Sequence, residues 1–337
     1  MTDRQFERGD FRLAPADSDP APHLLGDHDE DPKDTSQIDT PTTADDERPA
    51  SLWGDAWRLM RRNPFFWISA AFIVLFITMA AFPQLFTAKD PYFCDLNMSR
   101  VGPGAGAIFG YDLQGCDVYA RTIYGARSSI LVGSLATLAT LLIGATLGVI
   151  AGFAGGWLDT LLSRLADVFF AIPLLLGAII IMFTWRSNSS TPYLVTVMKV
   201  VLALSILGWP SLFRLMRSSV LQVKPQEYVQ AARALGASPL RIITSHIVPN
   251  ALAPVIVVAT IDLGAYIASE ATLSYLGIGL QAPVISWGIA ISDGSGLGYI
   301  ANAPHMLLFP SLFLSLTVLA FILLGEVIRD ALDPKLR

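Results

Sequence analysis

Few side chains in this chain of 337 residues are typed and spaced for chemistry. The four histidines are His23, His28, His246 and His305. The first two fall in an acidic N-terminal stretch. The other two are separated by apolar sequence long enough to cross a bilayer, so they cannot share a metal ion. Neither His-Glu-x-x-His nor Gly-x4-Gly-Lys-Ser/Thr occurs, so there is no metalloprotease helix and no phosphate-cradling loop. Gly102-Pro-Gly104-Ala-Gly106 lacks the strand and helix that frame a dinucleotide site. Two cysteines, Cys94 and Cys116, are too few for a disulfide scaffold or a thiolate cluster. No arrangement recommends nucleophilic catalysis. Any energy for work must then arrive from another chain. Two acids remain, Asp262 and Glu270, inside an apolar stretch, where an ionisable group marks a candidate pathway. Eight residues apart on one helix, they lie on roughly similar faces at different depths. The alternative is that each pairs with a neighbouring helix or sits near an interface.

The elements that must hold these residues are built for lipid. Residues of the AVILMFWYC class make up 53%, charged residues 15%, and mean hydropathy is +0.52. A soluble domain carries about 25% charged residues, because its surface must be wetted. The deficit argues against an ordinary globular enzyme, and against disorder in the bulk of the chain. Charge is also segregated. Residues 1–50 hold 14 acids and 5 bases, and the remainder holds 14 acids and 18 bases. Runs such as Asp27-His28-Asp29-Glu30-Asp31 cannot bury enough area to offset chain entropy. This segment reads as a disordered acidic tail, either a solvated spacer or a docking segment for a partner. It has no basic start followed by an apolar stretch, so it is not a signal peptide and the N-terminus stays inside.

About 20 apolar residues span the hydrocarbon. Six runs qualify, at about 63–88, 128–158, 161–183, 193–213, 251–275 and 306–327. The third carries Arg164 and Asp167, spaced as a local pair. The fifth is interrupted by Asp262 and Glu270. An all-α integral membrane protein with six transmembrane helices is expected. Its parts are the tail over 1–50, a first span with an outer loop over 51–126, a five-span core over 127–328 and a short end over 329–337. Lys and Arg gather on the inner segments, at Arg58, Arg61, Arg62, Arg164, Arg214, Arg217, Lys224, Arg233, Arg241, Arg329, Lys335 and Arg337, which places both termini in the cytoplasm. The first outer loop, with Lys89, Arg100, Arg121 and Arg127, is a weak exception. Gly144, Gly148 and Gly152 line one face of the second span, where a neighbouring backbone can approach. Pro173, Pro210 and Pro254 fall in or near spans three, four and five, where each can kink a helix.

The inner loop between spans four and five has the most structured sequence. It reads Lys224-Pro225-Gln226-Glu227-Tyr228-Val229-Gln230-Ala231-Ala232-Arg233-Ala234-Leu235-Gly236-Ala237-Ser238-Pro239. Pro225 can open a helix and Gly236 can close it with a left-handed residue. Ser238 and Pro239 supply a cap and first position for a second short helix reaching about Ile247. Small Ala231 and Ala232 leave room for another protein's surface.

These residues resemble the C-type permease subunit of bacterial ABC importers for dipeptides, oligopeptides and nickel. Glu227-Tyr-Val-Gln-Ala-Ala-Arg-Ala-Leu-Gly236, with Pro249-Asn250-Ala251, is similar to the motif by which that family docks on its cytosolic ATPase. Leu147-Gly-Val-Ile-Ala-Gly-Phe-Ala-Gly-Gly-Trp157-Leu-Asp159 resembles the loop after the second span. Ala268-Ser-Glu-Ala-Thr-Leu-Ser-Tyr-Leu-Gly277 and Ser286-Trp287-Gly288 resemble the outer end of span five. Arg329-Asp-Ala-Leu-Asp-Pro334 resembles the family's ending. The resemblance runs from about Trp53 to Arg337.

It implies the type I ABC importer permease fold, with Glu227, Tyr228, Gln230, Ala231, Ala232, Leu235, Gly236, Ser238 and Pro239 coupling to the ATPase. It implies a non-catalytic subunit of the bacterial plasma membrane. Its partners would be a second, homologous permease, two cytosolic ATPase subunits, an extracellular or periplasmic substrate-binding protein, a peptide substrate and membrane lipid, with no nucleic acid. No cofactor would sit on this chain, and ATP and magnesium would belong to the ATPase subunits. Nickel or glutathione uptake is the alternative within the family. An integral membrane enzyme or channel is the alternative outside it, but it would need a catalytic constellation or a pore-lining charge pattern. On a path for peptides, Asp262 or Glu270 could meet an amino terminus.

Two departures from the family pattern matter. Gln230 stands where a Glu is usual, which keeps hydrogen bonding and loses charge. In the outer loop Cys116 stands where an Arg is usual. Cys94 falls in the same loop, and the outer face is oxidising. A Cys94–Cys116 disulfide is expected, against two free thiols.

Overall fold

The computed structural model describes residues 52–104, 106–188 and 190–332. The acidic tail expected over 1–50, and the last five residues, lie outside them. The helices are α1 (Leu52–Met60), α2 (Pro64–Ala81), α3 (Val118–Ala154), α4 (Gly156–Phe170), α5 (Leu174–Thr184), α6 (Tyr193–Val223), α7 (Glu227–Ala234), α8 (Pro239–Ile242), α9 (Val248–Tyr275), α10 (Trp287–Gly294), α11 (Leu297–Asn302) and α12 (His305–Leu332). Among the described residues the only β pairing is three isolated bridges, all within residues 94–117.

Five helical segments are long and apolar enough to cross a membrane: α2, α3, α6, the continuous run Pro239–Tyr275, and α12. The remaining apolar run is not the single helix expected over 161–183. It is α4 and α5, bent by 82° at their junction. Pro173 is the physical reason. It has no N–H to donate, its ring crowds the carbonyl four residues back, and it drives Ile172 away from helical geometry. Pro210, Pro254 and Pro310 sit inside helices without ending them.

α3 begins ten residues before the uncharged run that marks it in the sequence. Asp117 caps it, its Oδ1 accepting from the Ala120 N–H at 2.9 Å. The charges in its first turns are bonded rather than left in lipid. Arg121 pairs with Asp112, and Arg127 Nε donates to the Ala80 carbonyl at the end of α2 (3.0 Å). In the last turn of α4, Asp167 lies 3.6 Å from Arg164 but only 2.8 Å from Arg214 of α6. The expected local pair is therefore the weaker half of a contact that ties two spans.

The α3–α6 seam is set by backbone contact. A Cβ on Gly144 would fall 2.9 Å from the Trp209 carbonyl, and one on Gly148 would fall 2.8 Å from the Phe213 carbonyl. In lipid, where apolar burial gives helices no reason to associate, such close approach supplies the packing. On its other side α3 meets α2, α9 and α12 through Phe76, Ile123, Ile267 and Phe321. Trp287, fully buried at the start of α10, joins this group and donates from Nε1 to the Thr122 carbonyl (2.8 Å).

Residues 83–117 fold over the N-terminal end of α3. Cys94 and Cys116 are joined by a disulfide. Asp112 accepts from the Gln114 and Cys116 amides at 2.9 Å each. Lys89 binds Asp117 at 2.6 Å, and that hydrogen bond holds its ammonium pKa above the usual lysine value. His305 Nε2 lies 3.0 Å from the Tyr111 carbonyl. Beneath the loop Asp293 of α10 is pushed up from the usual carboxylate range by burial, against the pull of Arg121.

Candidate functional site

The segment between α6 and α9 forms a projecting elbow. α7 starts without a side-chain cap, the Gln226 carbonyl accepting from the Val229 and Gln230 amides (3.0 and 3.1 Å). It stops at Gly236, whose φ of +79° favours glycine. There the Ala237 N–H reaches back to the Ala232 carbonyl (3.1 Å) and the Gly236 N–H to the Arg233 carbonyl (3.0 Å). That paired closure satisfies the last carbonyls of the helix and turns the chain sharply. Ser238 then caps α8, accepting from the Arg241 N–H at 3.4 Å, with Pro239 in the first turn.

One side of the elbow is anchored. Val229 is fully buried, in a cluster with Leu212, Met216, Val220, Ile242 and Ile247. The other side is open. Leu235 is 89% exposed, Leu240 70% and Tyr228 43%, with Glu227 and Ala231 beside them. Three large apolar side chains thus stand exposed on the elbow, the kind of surface that marks an interaction site.

One expectation is corrected here. The second helix does not end near Ile247. It continues through a five-residue π turn, Ile243–Ile247, into α9, so the elbow is one short helix plus the leading end of a span. Pro249 explains the widened turn. A proline in a regular helix would crowd the carbonyl four residues back, and one inserted residue relieves that contact. The Val248 N–H bonds the Ile243 carbonyl, and Asn250 Nδ2 donates to the His246 carbonyl (2.7 Å). Gln230 is exposed on α7. Its Nε2 donates to the Lys224 carbonyl at 3.0 Å, closing the start of α7.

Several supports were not apparent in the sequence. Lys224 Nζ donates to the Phe153 carbonyl (2.8 Å), placing a cation at the C-terminal end of α3. Arg217 grips Asp159 through two hydrogen bonds, one from Nη2 at 2.7 Å. Asp159 follows Gly155 and Gly156, both at positive φ, so the turn after α3 delivers a carboxylate to α6. The only available signal was an acid placed just after a glycine pair.

The two acids of α9 are not brought together. Glu270 is fully buried and accepts from Ser274 Oγ at 2.7 Å, with the Ser129 and Ser286 hydroxyls beside it. Asp262 is half-buried and lines a recess of about 300 Å³ at the α4–α5 break.

Residues 144–337 match the family described as binding-protein-dependent transport system inner membrane component. Residues 51–103 match the N-terminal TM domain of oligopeptide transport permease C. The oligopeptide transport system permease protein OppC of Bacillus subtilis is 40% identical over 291 residues, covering 86% of this chain and 92% of the relative. The dipeptide transport system permease protein DppC of Alkalihalophilus pseudofirmus is 37% identical over 305 residues, covering 90% and 96%. The glutathione transport system permease protein GsiD of Pectobacterium atrosepticum is 35% identical over 294 residues, covering 87% and 94%.

Proposed function

The chain belongs to the family of binding-protein-dependent transport system inner membrane components, and from that premise we propose that it is one permease of an ATP-driven importer of dipeptides or oligopeptides. It is a multi-pass membrane transport subunit. In this reading the α7 end faces the cytoplasm, with both termini, and the disulfide-bonded loop faces outward, where oxidising conditions preserve the bond. A binding protein delivers substrate to that outer face. A second, homologous permease completes the path, and two cytosolic subunits hold ATP and magnesium. The similarity to a glutathione permease keeps glutathione as the second substrate.

The observation that carries the proposal is the elbow. Val229 fixes it to the core, and Tyr228, Leu235 and Leu240 stand exposed. A motor subunit gripping these side chains moves α7. Because Pro239–Tyr275 is one helical run, that displacement passes directly into a span. Closing and opening of the ATPase pair then alternates the side on which the path opens.

The test is uptake of radiolabelled dialanine by the assembled transporter, read beside ATP hydrolysis. Glu227→Lys combined with Gly236→Pro, a change proline's fixed φ forbids at +79°, is expected to cut uptake at least tenfold while the complex still inserts. Leu235→Glu, on a side chain that touches little, is expected to do the same without altering thermal stability. Normal uptake and coupling in both variants would overturn the proposal.

A further inference from the structure

Acids in or beside the spans of this chain are mostly answered by a partner. Asp159 has Arg217, Asp167 has Arg214 and Arg164, and Glu270 has Ser274. Glu326 and Asp330 of α12 have no such partner but are exposed, whereas Asp262 is half-buried. Among the described residues no hydrogen bond or ion pair reaches its carboxylate. A charged group at membrane depth is costly and persists where it has a task.

The surroundings give that task a sign. The recess is lined by Phe170 and Pro173 at the span break, Gly208 and Ser211 of α6, and Asp262 and Tyr266 of α9. None of its lining residues is Lys or Arg. α4 ends at Phe170 and α5 begins at Leu174, so backbone ends of opposite sign border the same space and the net sign is left to the carboxylate. Interrupted membrane helices offer backbone ends of this kind to ions and charged substrates. Apolar walls weaken screening and strengthen the pull of the one carboxylate. A volume of about 300 Å³ is on the scale of small-ligand sites.

We propose that Asp262 is a substrate-binding residue, and that its carboxylate receives the protonated amino group of the transported peptide in the recess at the α4–α5 break. This rests on the peptide-importer reading above. The amino terminus is the one cationic group shared by peptides of any side chain, so a site built for it discriminates little among sequences. Glu270, enclosed and already hydrogen-bonded, takes no part.

The experiment uses the complete transporter, with its partner subunits and binding protein, in proteoliposomes. If the wild-type complex takes up no dialanine, the peptide reading fails, and this inference falls with it. If wild type is active, Asp262→Asn is expected to lower maximal uptake at least tenfold at saturating binding protein. Assembly should be unchanged, and Asp262→Glu should recover half or more. Uptake by Asp262→Asn at the wild-type rate would overturn the inference and leave the transport reading intact. A second measurement separates binding from a structural role. Both native cysteines are bonded, so Ser211→Cys, in the same recess with Asp262 intact, gives this chain a single thiol. A small cationic thiosulfonate should label it, and dialanine under turnover should slow labelling at least threefold. A thiol that does not react, or that reacts at a rate indifferent to dialanine, would overturn the inference.

Discussion

At its first turns α3 is tied by side chains: Asp117 to Lys89 and to the Ala120 amide, Arg121 to Asp112, Arg127 to the α2 carbonyls, with the Cys94–Cys116 bond closing the loop above. At its later turns the same helix is held to α6 mainly by the absence of side chains, at Gly144, Gly148 and Gly152. Where water is near, charge and a covalent bond limit the chain's freedom. Where lipid replaces water, two backbones brought within van der Waals contact do the same work. At the first end, taking atoms away weakens the fold. At the second, adding them does.

Gly148→Leu should expose this difference most sharply. A new Cβ would lie 2.8 Å from the Phe213 carbonyl and from Met216 Cβ, so the helices must part. The loss should reach or exceed the upper end of the ~1–3 kcal/mol that overpacking costs. It would be read as a lower melting midpoint and poor yield in detergent. Replacing both cysteines by serine should come next. Freeing a bridge across 22 residues costs up to about 3 kcal/mol in the chain-entropy model. Thiol counting on intact protein should find no alkylation before reduction and two sites after it. Two alkylated sites without reductant would remove the bond from the first end. The smallest effect should be Lys89→Met, below about 1 kcal/mol because the lysine is half exposed. Its pH dependence has a definite sign. Lys89 is raised in the folded state, so its contribution is complete below the ordinary lysine value of 10.5 and is lost as pH climbs through the folded value. Melting midpoints of wild type and variant should therefore converge in strongly alkaline buffer and differ below it.

The apolar runs identified the five long membrane-crossing helices and the bent α4–α5 pair, because lipid demands length and little charge. Their ends were not legible. Arg121 and Arg127 looked like loop residues, yet both lie within α3, because partners from distant sequence, Asp112 and the α2 carbonyls, answer their charge. Gly236 was readable as a helix stop, since only local backbone geometry is involved. The continuation through Pro249 was not, because a proline ordinarily argues for a break, and a widened turn hides that argument. Helical spacing placed Asp262 and Glu270 on similar faces. It could not say which would be enclosed, because that depends on Ser129 of α3 and on the chain leading into α10.

The π turn at Ile243–Ile247 also sets an azimuth. A helix advances about 100° per residue, so the one residue inserted there rotates everything before it by that angle around the α9 axis. Tyr228, Leu235 and Leu240 point where they do because of that offset. Removing a single residue from the turn would leave their chemistry unchanged and aim them at a different quarter of the compass.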